Sequence, residues 1–489
     1  MAEIFGLGKV SSKHVGELVF DIMALSSSSY KYVLGMDFGT TSIKVVLIDT
    51  QSKEITDSYT LPTKADSSNT VEHAKEQDPE RIIDTLNQCI AALPRDKLQN
   101  VTKIGVSGQM HGVMFWKAGT GCSWGTRDAV HMFWPSETSQ LTTWQDGRCS
   151  SDFLSTLPQP NSHLSVATGF GCATIFWHLR HRPEFLAEFT SAGTIHDYVV
   201  AMLCGLDKCL MSTQNAASWG YFNTRSHQWN LDILEDSGFP VHLLPDPVQS
   251  GCYAGLSCAE WHGIPLQTPV AAALGDFQCS VYSCMTDRTS AVLNVSTSAQ
   301  LTYAMPAGFE PPTTPDPSSP VSYFPYFDGT YLAVAASLNG GNVMATFVEM
   351  LTSWMKELGT DVDDSTIYSR LIKAALDQES SDLTVSPTIF GERHNTSSLG
   401  QVCNISVSNI SVGQVTRALC RGIMDNLASM LPPEALLESG VTQIMGSGSA
   451  LSRNEVLRQE AERAFPLPVL FGKDVDSAVG AAMIVIDRS

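Results

Sequence analysis

"YVLGMDFGTTSIKVVLID" (residues 32–49) is the stretch that decides the fold, because it places one acid and a run of small residues between two apolar segments. Glycine lets a backbone approach a ligand closely, and hydroxyl and backbone N–H groups suit an anion such as phosphate. A Walker-type loop leads from a strand into a helix, whereas here the β-branched run "IKVVLID" favours a second strand. The stretch therefore predicts a β-hairpin with a phosphate-binding turn and an acid, Asp37, suited to magnesium. An ordinary solvent-facing turn is the alternative.

A second stretch, "SAVLNVSTSAQLTYAM" (residues 290–305), has the same order of strand, small polar turn and strand, with Ser296, Thr297 and Ser298 at the bend. Two such hairpins, one in each half of the chain, predict a duplicated architecture that grips phosphates from both sides of a cleft. This arrangement resembles the actin-like ATPase fold shared by sugar kinases, actin and heat-shock chaperone ATPases. Chance similarity between two short patterns is the alternative.

The composition limits the class of protein. With 489 residues and 43% apolar content, the chain exceeds what one hydrophobic core usually supports, so two domains are expected. Thirty basic against fifty acidic residues give a net charge of −20, which argues against nucleic-acid and anionic-membrane partners. No apolar run is long enough to span a membrane, and the twelve cysteines form no C-x-x-C pair, which predicts reduced thiols and a cytoplasmic protein. Residues 1–31 lack the continuous apolar core of a signal peptide and are expected to form a flexible, dispensable extension.

A candidate catalytic acid follows a buried strand in "TPVAAALGDFQCSVYSCM" (residues 268–285). The strand of small apolar residues ends at Gly275, Asp276 follows, and an apolar helix begins. Ligands meet α/β proteins at strand ends, so the position of Asp276 favours a group that accepts a proton during phosphoryl transfer. The alternative is that Asp276 only caps the helix, and the two roles are compatible.

The stretch "VTQIMGSGSALSRNEVLRQEAERAFPLPVLF" (residues 441–471) reads as strand, glycine-serine turn, helix and strand. Gly446 and Gly448 leave room for a flat base or ribose against the backbone. Ser452 followed by Glu455 has the spacing of a helix capping box. At the end of a buried strand this pattern predicts a nucleotide site.

Two further segments offer polar groups for a polyhydroxyl substrate. "GVSGQMHGVMFW" (residues 105–116) places Gln109 and His111 on a tight turn between apolar strands. "TTWQDGRCS" (residues 142–150) adds an aromatic face and charged groups, which suit the C–H edge and the hydroxyls of a sugar: Trp144, Asp146 and Arg148. A histidine of the core or of a turn, and an ion pair within one domain, are the alternatives for His111 and for the charged pair.

The ordered series "DFGTTSIK", "SGQMHG", "WQDGR", "HDY", "LGDFQ", "NVSTS", "SLNGGN", "GSGSALSRN" and "DSAVGAA" resembles that of the FGGY carbohydrate kinases over residues 32–487. The resemblance implies a two-domain actin-like (ribonuclease H-like) α/β fold with a central cleft, and transfer of the γ-phosphate of ATP, with Mg²⁺, to the terminal hydroxyl of a ketose. "LTTWQDGRCSS" and "FGERH" are similar to the family members that act on the seven-carbon ketose sedoheptulose. A kinase of a five-carbon ketose such as xylulose, and a non-catalytic nucleotide-gated protein, are the alternatives.

The same resemblance implies a role for each matching residue. Asp276 corresponds to the general base and, with Asp37, to the magnesium site. The ATP-binding positions lie in the two hairpins and the glycine-serine segment: Thr40, Thr41, Ser42, Lys44, Ser296, Thr297, Gly446, Gly448 and Asn454. The sugar-facing positions are Gln109, His111, Trp144, Asp146 and Arg148. The chain departs from the family pattern at Phe277, where many relatives carry a polar residue, and in the Ser296-Thr297-Ser298 turn, where many have Gly-Thr-Ser.

The domain boundary is expected near residue 285, with residues 32–285 holding the sugar site, the first hairpin and the base, and residues 286–489 holding the second hairpin and the adenosine site. Apolar residues at helical spacing predict helices over residues 342–359 and 412–431 in the second domain.

Overall fold

The computed structural model describes residues 31–285, 287–472 and 475–488. The predicted extension, residues 1–31, lies outside the described residues except for Lys31. Within the described ranges, no helix has the length and apolar character needed to cross a membrane. All twelve cysteines are free, with no disulfide between them.

A mixed seven-stranded sheet, the first sheet, organises the first half of the chain (residues 31–285). Its parallel centre is the strand Val101–Gly108, which pairs with Tyr32–Phe38 on one side and with the strands around residues 269–275 on the other. Antiparallel strands complete both edges. The strands, in chain order, are Tyr32–Phe38, Ser42–Asp49, Ile55–Pro62, Val101–Gly108, Tyr253–Leu256, Pro269–Ala271 and Leu274–Gly275.

A six-stranded sheet, the second sheet, organises the second half of the chain (residues 287–488). Its central strand Ser290–Val295 pairs antiparallel with the next strand of the chain and parallel with Gln443–Ser447. The strands are Ser290–Val295, Ala299–Ala304, Val321–Pro325, Tyr331–Ser337, Gln443–Ser447 and Val469–Phe471. Both sheets thus share one plan, an antiparallel hairpin continued by parallel strands, as the repeated hairpin pattern of the sequence predicts.

Helices cover both sheets and bury a separate hydrophobic core against each. The helices of the first half are Pro79–Ala91, Arg95–Leu98, Ser151–Ser155, Gly171–His181, Pro183–Leu186, Ile195–Cys204, Thr213–Trp219, Leu231–Asp236 and Asp276–Cys284. Those of the second half are Gly341–Glu357, Asp364–Leu376, Val412–Met430, Pro433–Glu438, Ser449–Arg453, Glu455–Ala464 and Ser477–Asp487. The helices predicted over residues 342–359 and 412–431 are confirmed to within two residues at each end.

Small two- and three-stranded sheets shape the loops around the first sheet and the outer face of the second half. Their strands are Asp66–Ser67, Glu76–Gln77 and Leu141–Thr142; Met114–Trp116 and Ser191–Gly193; Cys122–Arg127 and Val130–Pro135; Leu210–Ser212 and Asp246–Val248; Phe222–Asn223 and Gln228–Trp229; and Thr384–Ser386 and Gln401–Cys403. The first of these sheets brings the segment before Trp144 close to the first hairpin.

The last helix, Ser477–Asp487, returns to the first half of the chain and packs on the first sheet. It lies so close that a Cβ atom at Gly35 or Gly105 would meet the carbonyl oxygen of Ala478 or Ala481 at 2.1 or 2.2 Å. Apolar residues of the helix and of the sheet strands form one buried cluster. The division at residue 285 stays a prediction, and this helix belongs to the residues after 285 although it packs on the first sheet.

Candidate active site

Two carboxylates lie at the same edge of the first sheet. Asp37 is the penultimate residue of the strand Tyr32–Phe38, and Asp276 is the first residue of the helix Asp276–Cys284. The strand that precedes this helix and the strand that carries Asp37 both pair in parallel with Val101–Gly108, where Ser107 is opposite Asp37. The carboxyl ends of parallel strands meet at one edge of a sheet, so the register alone brings both acids to the cleft.

Burial sets the charge state of the two acids. Burial, and then the neighbouring charge of Asp37, raise the pKa of Asp276 to about 7. Burial also raises the pKa of Asp37 to about 6, against the hydrogen bond from Ser107 (3.1 Å), which lowers it. The cap of the helix is Gly275, and the carboxylate of Asp276 accepts only from the adjacent N–H of Phe277 at 2.7 Å among the described residues. Asp276 is therefore not held in the usual capping position, three residues before its donor.

A lysine and a third acid surround the pair. Lys44 is opposite Asp37 in the first hairpin, and its ammonium group pairs with the carboxylate of Asp476. Asp476 in turn caps the last helix by accepting from Val479 N–H at 3.1 Å. The next residue, Ser477, donates its hydroxyl to the carbonyl oxygen of Asp276 at 3.0 Å. Asp476 was not among the predicted site residues, although it belongs to the quoted motif "DSAVGAA".

The first turn (residues 39–42) closes the predicted hairpin, whose last paired residues are Phe38 and Ile43. The carbonyl oxygen of Thr40 accepts from Gln77 Nε2 at 2.6 Å, and its hydroxyl accepts from Trp144 Nε1 at 2.9 Å. Gln109 Nε2 donates to Gln77 Oε1 at 3.1 Å. The turn that carries Thr40, Thr41 and Ser42 is thus connected to two of the residues that sequence predicted to face a sugar.

The second turn (residues 296–298) lies between the paired residues Val295 and Ala299. Its carbonyl oxygens accept from the start of the helix Gly341–Glu357, where Gly341 N–H bonds Ser296 at 2.8 Å and Asn342 N–H bonds Thr297 at 3.0 Å. Beside this turn lies a cavity of about 640 Å³, lined among others by Ser296, Thr297, Asn342, Tyr368, Ser449 and Arg453. Tyr368 and Arg453 offer an aromatic face and a cation there. Arg453 lies in the quoted motif "GSGSALSRN" but was not among the predicted site residues, and Tyr368 lies in none of the quoted motifs.

The glycine-serine segment lines this cavity through Ser449, Ala450 and Arg453, whereas the predicted positions Gly446, Gly448 and Asn454 are not among the lining residues. Gly446 is a buried strand residue packed on the ring of Phe471, and Gly448 has a φ of 103°. Asn454, only 1% exposed, accepts from Leu457 N–H at 3.0 Å and so caps the helix Glu455–Ala464. The predicted capping box of Ser452 and Glu455 is therefore wrong, because the helix begins after Asn454 and the preceding residues form a separate short helix.

His111 lies in a strained backbone position, with a φ of 73°. Its ring stacks on that of Phe170 with 4.4 Å between centroids, and Nδ1–H donates to the carbonyl oxygen of Ser218 at 2.9 Å. Burial, and then the charge of Arg393, lower its pKa to about 4. The ring is therefore neutral at pH 7, and Nε2 is the nitrogen with a lone pair available to a hydroxyl group.

The three remaining sugar-facing predictions differ in their exposure. Trp144 is 45% exposed and reaches the first turn. Asp146 and Arg148 are buried and bonded to each other through Arg148 Nε and Nη2 at 2.8 and 2.9 Å, and Arg148 Nη2 also bonds Glu76 at 2.5 Å. Asp146 and Arg148 therefore form the ion pair that the sequence analysis gave as the alternative to sugar binding. Their burial and mutual bonds do not support direct contact of either side chain with a ligand.

Asp37 and Asp276 are the two predicted metal-binding carboxylates, and they lie at the same edge of the first sheet. No group of three or more metal-ligating side chains occurs in the part of the chain that the structure describes. Magnesium keeps several waters and is often held by one or two carboxylates together with substrate phosphates, so two carboxylates suffice.

A larger cavity of about 770 Å³ on the outer face of the second half is apolar, and none of its lining residues is charged.

Several known proteins are similar to this chain in sequence or in structure. Residues 32–283 match the N-terminal domain of the FGGY family of carbohydrate kinases. A human protein named sedoheptulokinase is 59% identical over 466 residues, covering 93% of this chain and 97% of that protein. The mouse protein of the same name is 58% identical over 468 residues, covering 94% and 98%. A xylulose kinase structure from Rhodospirillum rubrum superposes with a TM-score of 0.75 at 19% identity over 93% of this chain and 89% of that one, which confirms the predicted fold.

The buried ion pair predicts a specific effect on stability. Asp146→Ala leaves the Arg148 guanidinium buried with one carboxylate fewer, so we expect a loss of about 3 kcal/mol in the free energy of unfolding, measured by urea denaturation. The exposed pair of Lys117 and Glu137 gives the control, Glu137→Ala, which should leave the urea midpoint nearly unchanged. Full stability of Asp146→Ala together with loss of sugar binding would instead mean that Asp146 contacts the ligand.

Proposed function

This chain belongs to the FGGY family of carbohydrate kinases, and from that premise we propose that it transfers the γ-phosphate of ATP to the terminal hydroxyl of sedoheptulose. The enzyme class, a phosphotransferase with an alcohol group as acceptor, follows from the family and from identity of 59% over 93% of the chain. The observation that carries the chemical role is the half-buried carboxylate of Asp276 at the edge of the first sheet, whose pKa desolvation raises.

Asp276 acts as the general base. Phosphoryl transfer requires a group that takes the proton of the attacking hydroxyl, and a base works best when its pKa is near the working pH. Burial, which raises the pKa of Asp276 to about 7, supports this role. The N–H of Phe277 donates to one oxygen of the Asp276 carboxylate. The other oxygen of that carboxylate is left to accept from the substrate hydroxyl.

The two turns bind the phosphates of ATP from opposite sides of the cleft. Thr40, Thr41 and Ser42 supply hydroxyl and backbone groups from the first turn, and Ser296 and Thr297 supply them from the second. The cavity beside the second turn takes the adenosine part of ATP, with the ring of Tyr368 and the guanidinium of Arg453 among its walls. Gly446, Gly448 and Asn454 contribute by holding the backbone at the edge of that cavity.

Asp37 and Asp276 would hold Mg²⁺ together with the phosphates. The charge of Asp37 raises the pKa of Asp276, and the charge of Asp476 raises the pKa of Asp37. The nearby cation Lys44, which lowers the pKa of Asp37, is paired with Asp476. A bound magnesium ion supplies neutralisation of the charge on the transferring phosphate. The chain's own contribution is to fix the two carboxylates through Ser107 and through the start of the last helix.

The sugar lies between Asp276 and the wall formed by Gln109, His111 and Trp144. Identity of 58–59% to two proteins named sedoheptulokinase favours a seven-carbon ketose over the five-carbon alternative. A non-catalytic role is not favoured, because a nucleotide-gated protein needs neither the base nor a polar sugar wall. Asp146 and Arg148 support the wall from beneath through their ion pair.

We place the reaction in the cytosol, where ATP is available and where the twelve cysteines, all free in the structure, stay reduced. Imaging of the full chain carrying a fluorescent tag tests this location, and accumulation in a secretory compartment would exclude it.

Asp276→Asn tests the base. The amide keeps the size of the side chain but cannot take a proton, so we expect kcat to fall by at least a factor of about 100 while calorimetry shows unchanged ATP binding. The surface variant Asp207→Asn is the matched control and should keep full activity. A rate of Asp276→Asn within about tenfold of wild type, equivalent to ~1.4 kcal/mol of barrier, would remove Asp276 from the chemistry.

Asp37→Ala tests the metal site. Removal of one carboxylate should weaken magnesium binding, so the magnesium concentration needed for half-maximal ATP binding is expected to rise about tenfold or more, and excess magnesium should restore part of the activity. Titration of magnesium at fixed ATP, followed by calorimetry and by turnover, measures both effects. An unchanged magnesium dependence contradicts the assignment.

The ratio of kcat/KM for sedoheptulose over xylulose, with ATP saturating, tests the substrate. A site built for the longer sugar leaves polar groups unpaired when the shorter sugar binds, at about 1 to 3 kcal/mol for each lost partner. We therefore expect a ratio of about ten or more. A ratio near or below one would leave an ATP-dependent ketose kinase with a different substrate.

A further inference from the structure

The short helix Thr213–Trp219 is buried at each of its seven residues, although none of the predicted site residues lies on it. Buried polar side chains are hydrogen-bonded in folded proteins, so their partners show which parts of the molecule such a helix holds. Three polar side chains of this helix bond the segments that carry Asp276 and His111.

The first turn of the short helix holds the segment that leads to Asp276. The N–H of Gly275, the residue before Asp276, donates to Gln214 Oε1 at 3.3 Å. Asn215 Nδ2 donates to the carbonyl oxygen of Ala273 at 3.2 Å. Both Gln214 and Asn215 are at most 1% exposed, so water does not compete for these two bonds. The backbone before the base is therefore fixed at two points by consecutive residues of one helix.

Asn215 also connects the short helix to the body of the first half. Its Nδ2 atom lies 2.9 Å from His196 Nε2 and 3.2 Å from Asp197 Oδ1, both in the helix Ile195–Cys204. The ring of His196 packs so closely on the end of the central strand that a Cβ atom at Gly108 would lie 2.7 Å from Nδ1. The short helix is thus anchored to the strand whose register brings the two acids together.

The last turn of the short helix holds His111. The backbone N–H of His111 donates to Ser218 Oγ at 3.2 Å, and its ring Nδ1–H donates to the carbonyl oxygen of Ser218 at 2.9 Å. Trp219 Nε1 donates to the carbonyl oxygen of Gly112 at 3.1 Å. A φ of 73° is uncommon for a residue with a side chain, and these three bonds maintain it at His111.

The hydroxyl of Ser218 joins the two ends of the short helix. It accepts from His111 N–H and donates to the carbonyl oxygen of Asn215 at 2.7 Å. A path of three hydrogen bonds therefore runs from Ala273 through Asn215 and Ser218 to His111. This path connects the segment of the base with the segment of the sugar wall.

We propose that the short helix fixes the base and the sugar wall relative to each other. Gln214 positions Asp276 through the N–H of Gly275. Ser218 positions His111 through its hydroxyl. The inference rests on the proposed function, because it takes Asp276 as the base and His111 as a sugar contact. The chemical step depends steeply on the alignment of the reacting groups, whereas the contacts of the wall hold the sugar, so the two residues should affect different kinetic constants.

Ser218→Thr and Ser218→Val test the role of Ser218, because the two new side chains have the same shape and differ only in the hydroxyl. Any strain from the added methyl group is common to both variants. Ser218→Val leaves the N–H of His111 unpaired, so we expect its KM for the ketose to be at least about fivefold that of Ser218→Thr, with kcat within about twofold. Steady-state kinetics at saturating ATP measure both constants, with whichever of sedoheptulose and xylulose the wild type uses better.

Ser429→Ala is the matched control for these variants. The hydroxyl of Ser429 donates to the carbonyl oxygen of Asn426 in its own helix at 2.7 Å, as that of Ser218 does to Asn215. Its loss should leave both kinetic constants unchanged.

Gln214→Met tests the role of Gln214. The variant keeps the length of the side chain but cannot accept from the N–H of Gly275. We expect kcat to fall at least about tenfold while KM for the ketose stays within about twofold, because a small displacement of a reacting group slows the chemical step. Gln414→Met, which removes a bond of 2.8 Å to Gln378 in the other half of the chain, is the matched control and should keep both constants.

Urea denaturation shows whether each variant is folded, and calorimetry should give the wild-type Kd for ATP in all of them. Equal KM values for the two Ser218 variants, or an unchanged kcat for Gln214→Met, would overturn the proposal. A lower urea midpoint together with wild-type kinetic constants would mean that the short helix only stabilises the fold, and would overturn it as well.

His111→Ala separates this proposal from the proposed function and should raise the KM for the ketose at least as much as Ser218→Val does. A raised KM for His111→Ala with no difference between the two Ser218 variants would overturn the positioning role and leave the sugar wall in place. An unchanged KM for His111→Ala would overturn the sugar wall, and positioning by Ser218 would fall with it.

Discussion

The parallel register of one strand is the constraint on which the active site depends. Val101–Gly108 pairs on one side with the strand that ends beside Asp37 and on the other with the strand that ends before Asp276. Two acids far apart in sequence are thereby brought, partly buried, to one sheet edge, where loss of hydration makes each of them hold its proton more strongly. A site of this kind favours a cation and can accept a proton, the two properties that phosphoryl transfer needs.

Local patterns were enough to predict the hairpins and the position of Asp276 between a buried strand and a helix. The first hairpin and the strand that leads to Asp276 each lie within about twenty residues, and their apolar and small residues report directly on burial and turn geometry. The long amphipathic helices were predictable for the same reason. The duplicated architecture was predictable as well, because each sheet contains a hairpin with the same sequence pattern of strand, small polar turn and strand.

Contacts between distant segments were not predictable from local patterns. Asp146 and Arg148 have a polar sequence context typical of a surface loop, yet Glu76 and a backbone N–H complete a buried network around them. Asn454 matched a nucleotide-binding position, while its side chain caps a helix, because that helix begins two residues later than the capping pattern suggested. Tyr368 and Arg453 line the cavity beside the second turn because of the way the helices pack together. Such packing between distant segments cannot be predicted from a short stretch of one sequence.

The return of the last helix to the first sheet determines when, during synthesis, this protein can fold. The helix Ser477–Asp487 packs over Gly35 and Gly105, near the other end of the chain, and Asp476 and Ser477 at its start contact Lys44 and Asp276. Domains usually fold as units while the chain emerges from the ribosome, N-terminal first. Here the first sheet cannot complete its packing until residues 477–487 have been synthesised, so a nascent chain that still lacks them carries an uncovered apolar sheet face.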